Sequence, residues 1–351
     1  MTILAQTQLR FAGPFVFLAS VPLLYRLSSF APSALVPALL LSLLIAHEIP
    51  YSDVGAGEVA AERLLPALYI PLQLMAILWA LFEVAFQDAS TFGFVGLAAA
   101  TGVCTGVFGA LAAHEMVHSR GAWQRWLGAL MLTGMSYRHF RLAHIYGHHR
   151  FVATLRDPST ARYGESFYAF LWRTLVWQVV YAWRFEQHRA RNAAVSIVRN
   201  RVFQDIAITA LLYIAVYVFC AARAMAFLAA ESAVAIIVLE LFNYVAHYGM
   251  LRGPREPMGD QFSWNCSGAA NLLLFNMGRH SHHHRAPAMP YEGLRLTAAA
   301  PELPGGYAGA IMLALIPPLW RRVMHRRLAN ISTLSGDCAC NMDVRRVAAV
   351  S

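Results

Sequence analysis

Long apolar stretches, separated by short polar segments, recur along most of the chain. A window of about 19 residues, the length that crosses a bilayer as a helix, finds six of them. They lie near residues 11–28, 31–48, 64–87, 92–113, 203–222 and 225–246. Continuous hydrophobicity of this length is typical of membrane spans. The pattern predicts an all-α, polytopic membrane protein with about six transmembrane helices.

The arginines are distributed unevenly between the predicted loops. Residues 120–201 contain 13 arginines and the region after Met250 contains 11, whereas the turn at residues 87–90 contains none. Because arginine-rich loops stay in the cytoplasm, we expect residues 114–202 and 247–330 to be cytoplasmic. Residues 1–330 are predicted to form one membrane-embedded domain, and residues 331–351 a disordered tail. The aromatic and basic stretch 164–188 predicts an amphipathic helix at the membrane interface.

Composition excludes several other classes of protein. Of the 351 residues, 58% are hydrophobic and 13% are charged, against about 25% charged residues in soluble domains. This balance excludes a disordered chain and a nucleic-acid-binding protein built on a polar scaffold. The five cysteines are scattered and odd in number, which indicates a reducing compartment rather than a disulfide framework.

Histidine carries the candidate chemistry. Ten of the 14 histidines fall in four clusters, within residues 114–118, 144–149, 243–249 and 280–284, all on the predicted cytoplasmic side. Residues four apart lie on one face of a helix, so His114 and His118 can direct their imidazoles at one metal ion or at two adjacent ones. The same spacing joins residues 144 and 148, and residues 280 and 284. Adjacent residues point about 100° apart, so the doublets at 148–149 and 283–284 suit two metal ions.

Each cluster alone has another explanation. The His114–His118 pattern occurs often by chance, His247 could be a hydrogen-bonded structural histidine, and residues 280–284 could bind stray metal or lipid headgroups. Their convergence on one side of the membrane predicts a binuclear metal centre with around nine nitrogen ligands. Imidazole suits iron, zinc, copper and nickel, so the donor set alone leaves the metal open.

The four clusters, in order, resemble the motifs of the integral-membrane alkane 1-monooxygenases. These non-haem di-iron enzymes are related to the xylene monooxygenases and, more remotely, to the membrane fatty-acid desaturases. Their pattern is HExxH, HxxGHH, NYxEHYG and RHSxHH. The chain offers His114–His118, His144–His149, Asn243–Gly249 and Arg279–His284. The stretch 150–166 after the second motif also resembles the hydroxylases rather than the desaturases.

The resemblance implies a set of iron ligands. Carried over motif by motif, the nine ligands of two iron ions are His114, His118, His144, His148, His149, His247, His280, His283 and His284. Two positions depart from the family pattern, because Ala246 replaces a glutamate and His282 replaces an aspartate. Carboxylates near a metal orient the ligand imidazoles through hydrogen bonds. Glu115, Asp157 and His282 are the candidates for that outer role, although both acids could equally be carboxylates paired with a nearby arginine.

The resemblance also implies the reaction and its partners. We expect O2-dependent hydroxylation of the terminal methyl group of an alkane or alkyl chain that enters from the bilayer of a bacterial-type inner membrane. The chain has no flavin or nicotinamide fingerprint. Electrons would therefore come from outside the chain, and the resemblance implies a rubredoxin or ferredoxin with an NAD(P)H-dependent reductase as their source. The third, fourth and sixth spans are candidate channel walls. Gly106, Gly109 and Ala112 either leave room for substrate or let helices pack closely.

Four other functions remain open at this stage. A desaturase or a xylene-type hydroxylase would use the same metal ligands on another substrate. An intramembrane zinc protease would use the His114–His118 motif with Glu115 as general base, which leaves three clusters unexplained. A divalent-metal transporter would place its ligands near the membrane midplane, and here the histidines gather at one end of the spans.

Overall fold

The chain folds as a bundle of helices, and the histidine clusters lie at the ends of helices or in short helices. The structure is a computed structural model that describes residues 9–53, 63–87, 89–192, 197–253 and 255–334. In chain order the helices are α1 (Gly13–Leu27), α2 (Leu35–Glu48), α3 (Leu64–Phe86), α4 (Thr91–Val117), α5 (Ala122–Gly134), α6 (residues 140–151), α7 (Phe167–Asn192), α8 (Arg201–Ala246), α9 (Ala270–Leu273), α10 (His280–Arg285), α11 (Gly306–Ala314) and α12 (Pro317–Leu334). Across those ranges no strand forms, apart from an isolated bridge between Asn265 and Glu302. The all-α prediction is confirmed.

Four helical segments are long and apolar enough to cross a bilayer. They are Ala31–Glu48, α3, α4 and α8. Helix α1 is also apolar but has only 15 residues. The predicted stretches 203–222 and 225–246 both fall within α8, which has 46 residues. The chain is therefore a multi-pass membrane protein, whereas the count of six spans stays a prediction.

Helix α8 consists of two antiparallel arms. Its backbone leaves helical geometry at Ala221, where φ is 65° and ψ is 178°. The hydroxyl of Ser136 lies 3.0 Å from that of Tyr213 and 2.9 Å from that of Ser232. In a continuous helix those two partners, 19 residues apart, would be separated by about 28 Å. The chain therefore reverses near Ala221, at the boundary between the two predicted stretches.

The reversal lies at the same end of the bundle as the loop between α3 and α4. The guanidinium of Arg223 donates a hydrogen bond to the carbonyl oxygen of Ala89, just before α4 begins. Helix α4 and the second arm of α8 thus start at one end and run in the same direction. Consequently His114 and His247, at their far ends, reach the same level of the bundle.

Small residues of α4 let it pack closely against the second arm of α8. A Cβ atom at Gly106 would lie 2.6 Å from the carbonyl oxygen of Ala235, and one at Gly102 would lie 2.7 Å from Cβ of Val234. At Gly109 the nearest atom would belong to the side chain of Met131, at 3.2 Å. Of the two roles considered for these glycines, the structure favours helix packing at Gly106.

We expect Gly106→Ala to destabilise the protein by about 1–3 kcal/mol, because the added methyl group meets backbone that cannot move aside. Thermal unfolding of the purified protein in detergent measures this as a lowered midpoint. Gly253→Ala is the control, since a Cβ atom there approaches nothing closer than 3.6 Å. Equal midpoints for the two variants would contradict the packing role.

The segments outside the core bundle partly match their predictions. Helix α7 begins at Phe167 and covers most of the stretch predicted as amphipathic, with Trp172 and Trp177 exposed on its outer face. Residues 331–334 of the predicted disordered tail continue α12. The rest of that tail, with Cys338 and Cys340, lies outside the described residues.

Candidate metal centre

Four segments carry the nine predicted ligands to one place. They are the end of α4, helix α6, the residue after α8, and α10. Helix α6 contains a π-helical turn, His144–His148, in which backbone bonds join residues five apart. This wider turn brings His144 and His149 to one side, so that His148 faces away from them. Such turns occur frequently at functional sites.

The nine imidazoles form two groups. In each group the potential ligand atoms all lie within 4.8 Å of one another. The five-histidine group comprises His114, His118, His144, His149 and His283, and the four-histidine group comprises His148, His247, His280 and His284. Both adjacent doublets are divided between the groups, as the 100° angle between neighbouring helical residues predicts. The pair at 144 and 148, four apart in sequence, is divided as well because of the π-helical turn.

The spacing of the ring nitrogens fits metal coordination. In the five-histidine group, Nε2 of His144 lies 3.1 Å from Nε2 of His118 and 2.9 Å from Nε2 of His149. In the other group, Nε2 of His280 lies 3.0 Å from that of His247 and 3.2 Å from that of His284. The single hydrogen on Nε2 of His144 or His280 cannot bond to both neighbouring nitrogens at once, so hydrogen bonding alone does not explain these distances. Two nitrogens bound at a right angle to one ion, with bonds of about 2.1 Å, would lie about 3.0 Å apart.

Burial keeps several of these imidazoles in the form that binds metal. Desolvation lowers the pKa of His280 to about 3, and it holds the pKa values of His144, His283 and His284 well below the ordinary value. Neighbouring histidines lower them further. These four rings are therefore neutral near pH 7 and present free lone pairs. The four-histidine group is fully buried, whereas His118 and His149 are half-buried.

Asp157 orients one of the imidazoles. Its Oδ2 atom lies 2.8 Å from Nδ1 of His148 and accepts a hydrogen bond from the Thr160 hydroxyl, while its Oδ1 atom accepts from the backbone N–H of Ser159. Nε2 of His148 is buried and has no hydrogen-bond partner within the described residues. The carboxylate thus holds the ring with Nε2 directed into the four-histidine group.

Glu115 and His282 contact other groups. Glu115 pairs with the buried Arg63 and accepts a hydrogen bond from the backbone N–H of Tyr291. The ring of His282 is half-buried, and its Nδ1 atom accepts from the backbone N–H of Arg295 at 2.8 Å. Within the described residues, neither side chain hydrogen-bonds to a ligand imidazole, because each is adjacent to a ligand histidine on its helix and points to another side. The arginine pairing also disfavours Glu115 as the general base of a protease.

Replacing Asp157 by asparagine is expected to weaken iron binding about 10- to 100-fold, because His148 loses the acceptor that orients it. Titration of the metal-free protein with ferrous iron measures the affinity. Asp260→Asn serves as the control, since that carboxylate pairs with the exposed Arg285. Unchanged affinity in Asp157→Asn would contradict the orienting role.

A narrow apolar cavity adjoins both histidine groups. Its volume is about 30 Å³, and it is lined by Leu111, His114, Phe140, His144, Leu239, Phe242, Asn243, Ala246, Met277, His280 and Tyr307. Helix α4 and the second arm of α8 contribute walls, as predicted for the fourth and sixth spans, whereas α3 contributes none. Phe140, Met277 and Tyr307 were not predicted, because no local motif marks them. The volume suffices for one water-sized molecule, so an alkyl group requires the apolar side chains to move aside.

Comparison with known proteins places these motifs in a family. The fatty acid desaturase family model matches residues 90–313. An alkane 1-monooxygenase of Pseudomonas putida is 36% identical over 277 residues, which cover 76% of this chain and 68% of that protein. The chain belongs to the alkane 1-monooxygenase family. Alkane 1-monooxygenase 1 of Pseudomonas aeruginosa is 35% identical over 74% of this chain and 71% of its own length.

The chain is also similar to an aromatic hydroxylase, at lower identity than to the alkane 1-monooxygenases. The hydroxylase component of xylene/toluene monooxygenase from Pseudomonas putida is 28% identical over 211 residues, 59% of this chain and 57% of that protein. The resemblance inferred from the histidine motifs is confirmed. The matched region of the family model contains all four histidine motifs and the cavity residues from both α4 and α8.

Proposed function

We propose that the protein is a di-iron alkane monooxygenase that converts the terminal methyl group of an alkane or alkyl chain to a primary alcohol. The observation that carries this proposal is the pair of all-histidine groups against one apolar cavity, in a chain 34–36% identical to several alkane 1-monooxygenases. The balanced reaction consumes the alkane, O2, two electrons and two protons, and yields the alcohol and water.

We propose that the two histidine groups hold one iron ion each. Bound iron supplies the activation of O2 that acid–base groups cannot provide for an unactivated C–H bond. The side chains around the histidine groups bind the substrate, exclude water and orient the ligands. Leu111, Phe242 and Met277 exclude water and receive the apolar end of the substrate, while Asp157 keeps His148 oriented. The cavity lies between His114, His144 and His280, so a methyl group placed there would face both histidine groups.

Electrons must reach the site from another protein, as the family membership implies. We propose a rubredoxin or ferredoxin, reduced by an NAD(P)H-dependent reductase, as the donor. The five-histidine group is the nearer to the surface, since His118 and His149 are half-buried. The excess of arginine in residues 120–201 supports a cytoplasmic position for this surface, in a bacterial inner membrane.

Two competing activities come from the comparisons: desaturation, from the name of the family model, and oxidation of an aromatic methyl group, from the xylene/toluene relative. A fatty-acid desaturase would yield an alkene, and a xylene-type enzyme would oxidise a methyl group on a ring. The alkane 1-monooxygenases match at higher identity and over more of the chain than the xylene/toluene enzyme does, which favours alkane hydroxylation.

Whole-cell conversion of octane and hexadecane tests the proposed function. Cells co-express the protein with a rubredoxin and its reductase, and gas chromatography detects 1-alkanols and alkenes. A primary alcohol that is absent from cells carrying His283→Ala is the expected result. An alkene without alcohol would establish a desaturase, and no product from a protein that holds two irons would refute alkane hydroxylation.

A further inference from the structure

Glu240 is a buried acid close to the candidate metal centre that no motif marks. It lies on the second arm of α8, one turn before Asn243, and is fully buried. Its Oε1 atom accepts hydrogen bonds from the hydroxyl of Tyr137 at 2.9 Å and from Nε2 of Gln178 at 3.0 Å. Its Oε2 atom accepts from Nδ2 of Asn243 at 3.1 Å. Both oxygens thus accept hydrogen bonds from donors, which is what an ionised carboxylate requires.

Three other buried acids of this protein pair with arginine: Glu115 with Arg63, Asp205 with Arg138 and Arg141, and Glu186 with Arg189 and Arg201. The hydrogen-bond partners of Glu240, by contrast, are a phenol and two amides. Glu231 is buried without an arginine as well, but its Oε1 atom has no hydrogen-bond partner within the described residues, whereas both oxygens of Glu240 accept hydrogen bonds. Burying a carboxylate costs several kcal/mol unless a positive charge lies nearby. A positive charge is therefore expected close to Glu240. None of the three side chains that hydrogen-bond to it is positively charged.

Two routes connect Glu240 to the histidine groups. On one side, Nε2 of Gln178 also donates to Oγ of Ser159 at 3.1 Å. The backbone N–H of Ser159 donates to Asp157, which lies 2.8 Å from His148. On the other side, Asn243 lines the cavity together with His114, His144 and His280. Glu240 thus supports both an oriented ligand and the wall of the cavity.

The proposed iron site needs negative charge that its own ligands do not supply. Nine neutral imidazoles leave the charge of two ferrous ions, at least four positive charges, uncompensated in a buried place. Asp157 is in contact with a ligand, and it provides one negative charge. We propose that Glu240 is a second buried counter-charge of the metal pair and holds iron in the site electrostatically. The inference rests on the proposed function, because it assumes that the two groups bind iron.

The isosteric variant Glu240→Gln tests the proposal, since it removes the charge and keeps the size. We expect iron to leave the purified holoprotein for a chelator at least ten-fold faster, and the midpoint potential of the bound iron to rise. Glu231→Gln is the matched control. Glu231 is a fully buried glutamate on the same arm, nine residues or about 13 Å away along the helix, and bonds to Ser232 instead of this network.

Tyr137→Phe separates charge from packing. It removes one hydrogen bond from the network and leaves the carboxylate in place, so iron retention should stay close to wild type. Iron loss as fast as in Glu240→Gln would show that the network matters through packing and would overturn the proposal. Unchanged retention and potential in Glu240→Gln would overturn it as well.

Two further outcomes have distinct meanings. A wild-type protein that retains no iron would refute the proposed function rather than the role of Glu240 alone. If Glu240→Gln does not fold, infrared spectroscopy of the iron-loaded wild-type protein decides. The proposal predicts no protonated-carboxyl band from Glu240, and such a band that shifts in Glu240→Asp would refute it.

Discussion

Alanine in place of His283 is expected to lower 1-octanol formation at least about 100-fold, more than the loss of an outer hydrogen-bond partner costs. The side chain is buried in the five-histidine group, with Nε2 3.2 Å from Nε2 of His149. Its removal leaves one coordination position without a protein ligand and opens a gap beside the cavity. The whole-cell octane assay measures the product, and metal analysis of the purified variant measures the iron content, which should fall below that of the wild type.

His282→Ala provides the control at the neighbouring position. The two histidines are adjacent in sequence, yet the ring of His282 contacts the backbone N–H of Arg295 and belongs to neither histidine group. The variant should therefore retain measurable activity and its iron. Equal loss of activity in both variants would contradict the ligand assignment, as would full activity in His283→Ala or in His148→Ala.

The histidine motifs were predictable because helical geometry links spacing to direction. Positions four apart and adjacent doublets predict converging and diverging rings, and the doublets at 148–149 and 283–284 are divided between the groups as expected. The partition of residues 144 and 148 was not predictable from that rule, because it depends on a π-helical turn. The actual partners of Glu115 and His282 were not predictable from the motifs either. Glu115 pairs with Arg63, and His282 accepts a hydrogen bond from the backbone of Arg295, and both contacts join residues that are distant in sequence.

The apolar pattern predicted membrane helices well, but it carried little information on how they meet. The break at Ala221 separates two hydrophobic stretches whose boundary was visible in the sequence. The close approach of Gly106 to Ala235 and the cavity wall at Tyr307 depend on tertiary packing, which hydropathy does not encode. Glu240 stands inside an apolar stretch, where composition alone marks it as unusual and only its partners indicate a role.

The buried ion pair between Arg63, at the start of α3, and Glu115, on α4, should contribute strongly to the stability of the protein. Arg63 is 5% exposed and Glu115 is 1% exposed, and Arg63 also donates to the carbonyl oxygen of Ala288 at 2.8 Å. Glu115→Leu leaves the guanidinium buried without its counter-charge. We expect a loss of about 3–5 kcal/mol in unfolding free energy, measured by denaturation of the detergent-purified protein.

A double-mutant cycle identifies the cause of that loss. Replacing the whole pair, as Arg63→Met with Glu115→Leu, removes both charges together, and an apolar pair of similar volume is often as stable as a buried ion pair. The double variant should therefore be more stable than Glu115→Leu alone, although it loses the bonds to Ala288 and Tyr291. If the two single losses simply add, the charges do not interact and the pair contributes only through packing. Residual iron binding in the double variant would further show that Glu115 supports the fold around His114 and His118 rather than the metal itself.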